Sequence, residues 1–170
     1  MSTLEILHPT TGRRFDNSFL LQRVQPAMTG LIDGSLSTLA PVFAVVFATH
    51  QPIYAFFAGL ATAIGAGVSM AFSEGLSDDG ESTGRGNPFA RGAITGAGTF
   101  LGGVLHTLPF LVPQYGAAVI VALATIAFEL LTLAWARSRF FGTGFLRSFV
   151  AIALGGAIIT AVSAGLGSLS

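Results

Sequence analysis

Apolar positions gather along the chain into five long blocks, each close to the roughly 20 residues that a helix needs to cross a bilayer. They run near Ala27–Thr49, Pro52–Ser73, Ala90–Leu111, Gly116–Ala136 and Phe145–Gly165. At 100° per residue, small and polar side chains within a block collect on one helix face instead of alternating. The connections are short, and the longest is the polar, glycine-rich GLSDDGESTGRGNP. This pattern predicts an all-α membrane protein. Residues 1–25 form a short cytosolic N-terminal arm, and 26–170 form one transmembrane domain of five helices.

Composition sharpens that reading. The chain is 52% hydrophobic and 9% charged, against roughly 25% charged residues in soluble domains. Cysteine is absent, which removes disulfides, thiolate metal sites and cysteine nucleophiles together. Net charge is zero and no basic tract exists, so nucleic acid is not an expected partner. No Ser/His/acid arrangement, phosphate loop or closed metal cluster is visible, so no enzyme is expected. The opening MSTLEILH lacks the charged-then-apolar order of a signal peptide, and the N-terminus is expected to be retained.

The basic residues set an orientation. All eight are arginines: Arg13, Arg14, Arg23, Arg85, Arg91, Arg137, Arg139 and Arg147. With five spans they fall on one side, which the positive-inside rule makes cytosolic. The N-terminus is then inside and the C-terminus outside. Trp135 at an inner edge, and Tyr54 and Tyr115 at outer edges, agree with this placement.

Four faces carry chemistry. In the first helix Gly30, Asp33, Ser37, Ala40 and Ala44 share a side, with Leu31, Leu39, Val42 and Val46 opposite. Small residues admit a close neighbour, so Asp33 is expected to point into the protein. The second helix places Gly59, Ala63, Ala66, Gly67, Met70 and Glu74 on one face and turns Phe57, Ile64, Val68 and Phe72 away. In the fourth, Glu129 lines up with Ala118, Ala122, Thr125 and Thr132. In the third, His106 lines up with Thr95 and Thr99. A rise of 1.5 Å per residue sets Asp33 and Glu129 roughly 9–12 Å below the cytosolic surface. An ionisable group at mid-membrane costs on the order of 3 kcal/mol and usually marks an ion or proton route.

Met70 and Glu74 lie one turn apart, and a carboxylate beside a thioether suits a transition metal better than Mg2+ or Ca2+. Packing alone would also explain Met70. Pro41 cannot donate to the carbonyl of Ser37, which frees an oxygen one turn from Asp33; a packing kink is the other explanation. His106 reads equally as a structural imidazole or a proton carrier. The acidic loop Ser77 to Glu81 reads first as a solvated turn and second as a collector of cations.

Three phrases then carry a resemblance: LIDGSLSTLAPVF, GAGVSMAFSEGLS and GGVLHTLPFLVP. From about Gln22 to its end the chain resembles the vacuolar iron transporter family of proton-coupled divalent-metal carriers. The nearest likeness is to the membrane domain of the bacterial membrane-bound ferritin-like iron exporters. The resemblance implies a homodimer of five-helix protomers, with the ion path between the first two helices of both copies. It implies export of Fe2+, with Mn2+ the second candidate, from the cytosol in exchange for protons. By position, Asp33 and Met70 match the family's intramembrane metal ligands, and Glu74 its acid near the cytosolic mouth. The expected setting is a bacterial inner membrane, with the lipid bilayer and a second copy as partners. No permanently bound cofactor is implied, the metal being substrate.

Two departures follow from the same comparison. The Glu-rich metal-collecting domain that vacuolar members insert between spans two and three is missing. So is the di-iron bundle, with its Glu-x-x-His pattern, that the ferritin-like exporters place before the first span. Metal delivery would then depend on a separate cytosolic iron-binding protein, or the core acts alone. Outward of Asp33, Glu129 and His106 are candidate proton relays, an expectation from helix faces only. Two rival functions stay open: a membrane scaffold that docks a soluble ferritin-like partner through Leu4–Arg23, and a carrier of another divalent cation.

Overall fold

The computed structural model describes residues 16–169, and among these every regular element is helical. Five helices are long and apolar enough to cross a membrane: α1 Asn17–Thr49, α2 Pro52–Gly75, α3 Pro88–Leu111, α4 Tyr115–Phe141 and α5 Phe145–Ser168. The fold is that of an integral membrane protein. The first helix begins at Asn17, ahead of the expected Ala27, because the Asp16 carboxylate accepts hydrogen bonds from the Ser18 amide at 3.2 Å and its hydroxyl at 2.6 Å. Such capping satisfies amides that would otherwise be orphaned at a helix start. Leu20–Val24 then forms a π-helical turn. Pro41 sits inside α1 without ending it. Arg13 and Arg14 lie outside the described residues.

Local sequence marks the other ends. Asn87 accepts from the amides of Phe89 and Ala90 at 2.8 and 3.2 Å, ahead of Pro88 at the first helical position of α3. The last turn of α3, Leu108–Leu111, tightens to a 3-10 helix. His50 and Gly142 close α1 and α4 in the left-handed region, with φ of 54° and 65°. The helices run up and down, so Arg23, Arg85, Arg91, Arg137, Arg139 and Arg147 share one end. His50 against Tyr115, with ring centroids 4.8 Å apart, marks the other.

The centre of the bundle is α1. It packs against α2, α3 and α5, so its Leu39, Val42, Phe43 and Val46 are fully buried, gathered with Ala55, Phe110, Ala118 and Ala122. The side opposite Asp33 is therefore protein core and does not face lipid. A second cluster joins Val24 and Met28 to Leu130, Leu133 and Ile152. On the expected inner face of α2, Gly59, Ala63 and Gly67 are buried and Ala66, Met70 and Glu74 half-buried, whereas Phe57, Ile64, Val68 and Phe72 are exposed.

Glycines set the crossings. A Cβ at Gly34 would overlap the backbone carbonyl of Thr99, and one at Gly98 would lie 2.9 Å from the carbonyl of Ala27. On the other side of α3, a Cβ at Gly96 would lie 2.6 Å from the carbonyl of Gly67. The pairs Gly30/Gly34 and Gly98/Gly102 thus join α1 to α3, and Gly92/Gly96 joins α3 to α2. These close crossings lie within the single chain.

Candidate functional site

Three groups of polar side chains occupy the bundle, and they differ in how their charges are met. On α1, Asp33 and Ser37 are half-buried, and the Ser37 hydroxyl donates to the backbone carbonyl of Asp33 at 2.6 Å. No basic side chain among the described residues pairs with the Asp33 carboxylate. Met70 is half-buried on α2. Gly30 and Gly34 of α1 and Gly67 of α2 all meet α3 over residues 95–100, so Asp33 and Met70 lie at a similar depth, bridged by α3.

Glu74 has a different environment. Its Oε1 takes Nη2 of Arg85 at 2.6 Å and Nε of Arg91 at 2.8 Å. The same two guanidinium groups hold Asp78, Arg85 Nη1 at 2.8 Å and Arg91 Nη2 at 3.0 Å. Arg91 is only 1% exposed and also donates to the Gly86 carbonyl at 3.1 Å. Gly80, with φ of 79°, brings the loop so close to the Gly86 carbonyl that a side chain would collide with it. Two acids and two arginines thus balance one another and fold the α2–α3 loop back over the helix ends. Burial pushes the Asp78 carboxyl up, but hydrogen bonds and charge from Arg85 and Arg91 outweigh it and hold the group below its ordinary 3.8. The loop that read as a solvated turn or cation collector is half of an ion-pair clamp. The other half escaped the sequence reading, although Arg85 and Arg91 follow Glu74 closely in a chain with few charges.

The third group lies in the core. Ser35 of α1, His106 of α3 and Glu129 of α4 are all buried, at 1%, 1% and 7% exposure. The Ser35 hydroxyl is hydrogen-bonded to Glu129 Oε1 and lies 2.6 Å from the Leu31 carbonyl. His106 Nδ1 is 3.0 Å from the Gly102 carbonyl, and its Nε2 is 3.2 Å from Glu129 Oε2. That last contact lacks hydrogen-bond alignment, so Nε2 and Oε2 are buried without an aligned partner. Helix faces had singled out His106 and Glu129 separately; the fold makes them neighbours. Ser35 was missed because a serine in a span ordinarily bonds back to its own helix.

Among the described residues no three His, Cys, Asp or Glu side chains cluster in a way that would hold a metal ion. Compared with protein-family models, characterised proteins and solved structures, the chain finds no match.

Proposed function

We propose that the protein is a proton-coupled transporter of divalent transition-metal ions, Fe2+ first and Mn2+ second, that moves metal out of the cytosol across a bacterial inner membrane. One observation carries this reading. Of the three carboxylates within the described spans, Glu74 is met by two arginines and Glu129 by Ser35 and His106. Asp33 alone has no basic partner among the described residues, and it sits on a stripe of small residues at membrane depth. Such a group is costly to insert and is usually retained for an ion or proton path.

In a homodimer, Asp33 from each copy would face one path, with the Met70 thioethers adding the softer ligand that favours a transition metal over Mg2+ or Ca2+. A carboxylate must lose its proton to ligate, so metal and proton compete for Asp33, and that competition gives exchange. Glu74 can join only after Arg85 and Arg91 release it, which makes the clamp a closed entrance. The test is Fe2+ flux into proteoliposomes under an imposed pH gradient. Asp33→Ala is expected to lower flux by at least about tenfold, the lower range for a perturbed metal site. Unchanged flux in that variant contradicts the assignment.

A further inference from the structure

Ser35, Glu129 and His106 touch along a chain of four polar contacts: Leu31 carbonyl to Ser35, Ser35 to Glu129, Glu129 to His106, and His106 to the Gly102 carbonyl. Each contact needs one hydrogen between its two heavy atoms. Ser35 brings one, and a neutral imidazole brings one. The Gly102 carbonyl can only accept, so the hydrogen of a neutral His106 must sit on Nδ1, which leaves a lone pair on Nε2. With Glu129 ionised, two hydrogens serve four contacts, and Nε2 faces a carboxylate oxygen with nothing between them. That state leaves a buried charge and a buried lone pair uncompensated, an expensive arrangement away from water. Adding one proton relieves it in either of two ways. On Glu129 Oε1 the proton fills the contact to Ser35, whose own hydrogen then serves Leu31. On Nε2 it sets an imidazolium 3.2 Å from Glu129 Oε2, so that the two buried charges neutralise each other across the unaligned contact.

A metal ion is the rival occupant, because a histidine whose other nitrogen donates to a backbone carbonyl is a common ligand pattern. Space and donors decide against it. The three side chains are closely buried, and among the described residues only two metal-type ligands converge. A proton needs neither a cavity nor a third ligand.

We propose that these three residues form an internal proton-binding site, taking up one exchangeable proton between Glu129 and His106, with Ser35 as a positioning residue that ties its occupancy to α1. Among the described residues no other charged group competes for it. On α1, Asp33 is two residues from Ser35 and so turned about 200° away, and Arg23 is exposed. On α3, Arg91 is engaged with Glu74 and Asp78. On α4, Arg137 and Arg139 lie two to three turns beyond Glu129 and are exposed, and Tyr115 packs against His50 at the far end. On α2, Glu74 and Tyr54 sit at the two helix ends, and on α5 Arg147 is exposed.

The site names where a coupled proton would reside, and so deepens the transport reading while being measurable without transport. The experiment follows the purified full chain through an acid–base titration near neutral pH. Nitrogen NMR of the histidine rings reports His106, and infrared spectroscopy reports neutral carboxyl groups. The expected result is one additional proton per protomer, seen either as a neutral carboxyl band lost in Glu129→Gln or as a His106 imidazolium that Glu129→Gln abolishes. Ser35→Ala is expected to move the midpoint by about one pH unit, as loss of a hydrogen bond to a charged group implies, a readout that a purely structural serine would leave in place. Glu129 ionised beside a neutral His106 throughout overturns the proposal, and so does Mn2+ broadening of the His106 signals that Glu129→Gln removes. Protonation without any metal flux would keep this site and defeat the transport reading instead.

Discussion

The clamp at the arginine-rich end and the triad in the core contain the same chemical problem, a carboxylate taken partly or wholly out of water, and solve it differently. Glu74 and Asp78 face two guanidinium groups that are always charged, so their balance does not depend on a proton. Glu129 faces an imidazole and a hydroxyl, whose balance depends on where one proton sits. Arginine cannot give up its proton in a protein, whereas histidine changes charge close to neutral pH. The first arrangement fixes a structure and the second can record a state. Asp33, half-buried in α1, has neither kind of partner among the described residues, and in the proposed mechanism it is the carboxylate that takes the cation.

Breaking the clamp is expected to have the largest effect on stability. Arg91→Met strips Glu74 and Asp78 of their buried partner and should cost about 3 kcal/mol, the low end for an unpaired buried charge because Arg85 remains; thermal melting in detergent measures it. Arg85→Ala removes a guanidinium that is 21% exposed and should cost about 1 kcal/mol by the same assay. Acidification sharpens the contrast with the smallest effect. The Asp78 carboxyl is held below its ordinary value, so its contribution is fully present above about pH 4 and is lost only as pH falls through the lower folded value. Lowering pH from about 7 to 5 should therefore leave the Asp78 ion pairs intact, while any proton taken up by the core site is read there by the NMR and infrared titration. Hydrogen exchange across residues 76–87 checks the first half of that statement.

The spans and the lipid side of α2 were legible in the sequence because both depend on local hydropathy and helical period. The setting of α1 was not. Its Leu39, Val42 and Val46 look like any lipid-facing stripe, and only the number of neighbours around the helix makes them core. Small residues admit a close neighbour but do not name it, and Gly30/Gly34, Gly98/Gly102 and Gly92/Gly96 all serve crossings within the single chain. At the site, single faces were readable and meetings were not. His106 and Glu129 were each marked by the cost of their own ionisable group, yet nothing local says that α3 and α4 bring them to 3.2 Å. The arginines of the clamp were counted toward orientation, which hid their second role as partners of Glu74.

The central claim concerns Asp33, and metal flux tests it most directly. Proteoliposomes carrying the wild-type chain, an imposed pH gradient and Fe2+ on the arginine-rich side should accumulate metal and dissipate the gradient together. Asp33→Asn, which keeps the shape of the side chain and removes its charge, should abolish both signals while the purified protein remains folded. Equal Fe2+ accumulation by the Asp33→Asn protein and the wild type would contradict the account.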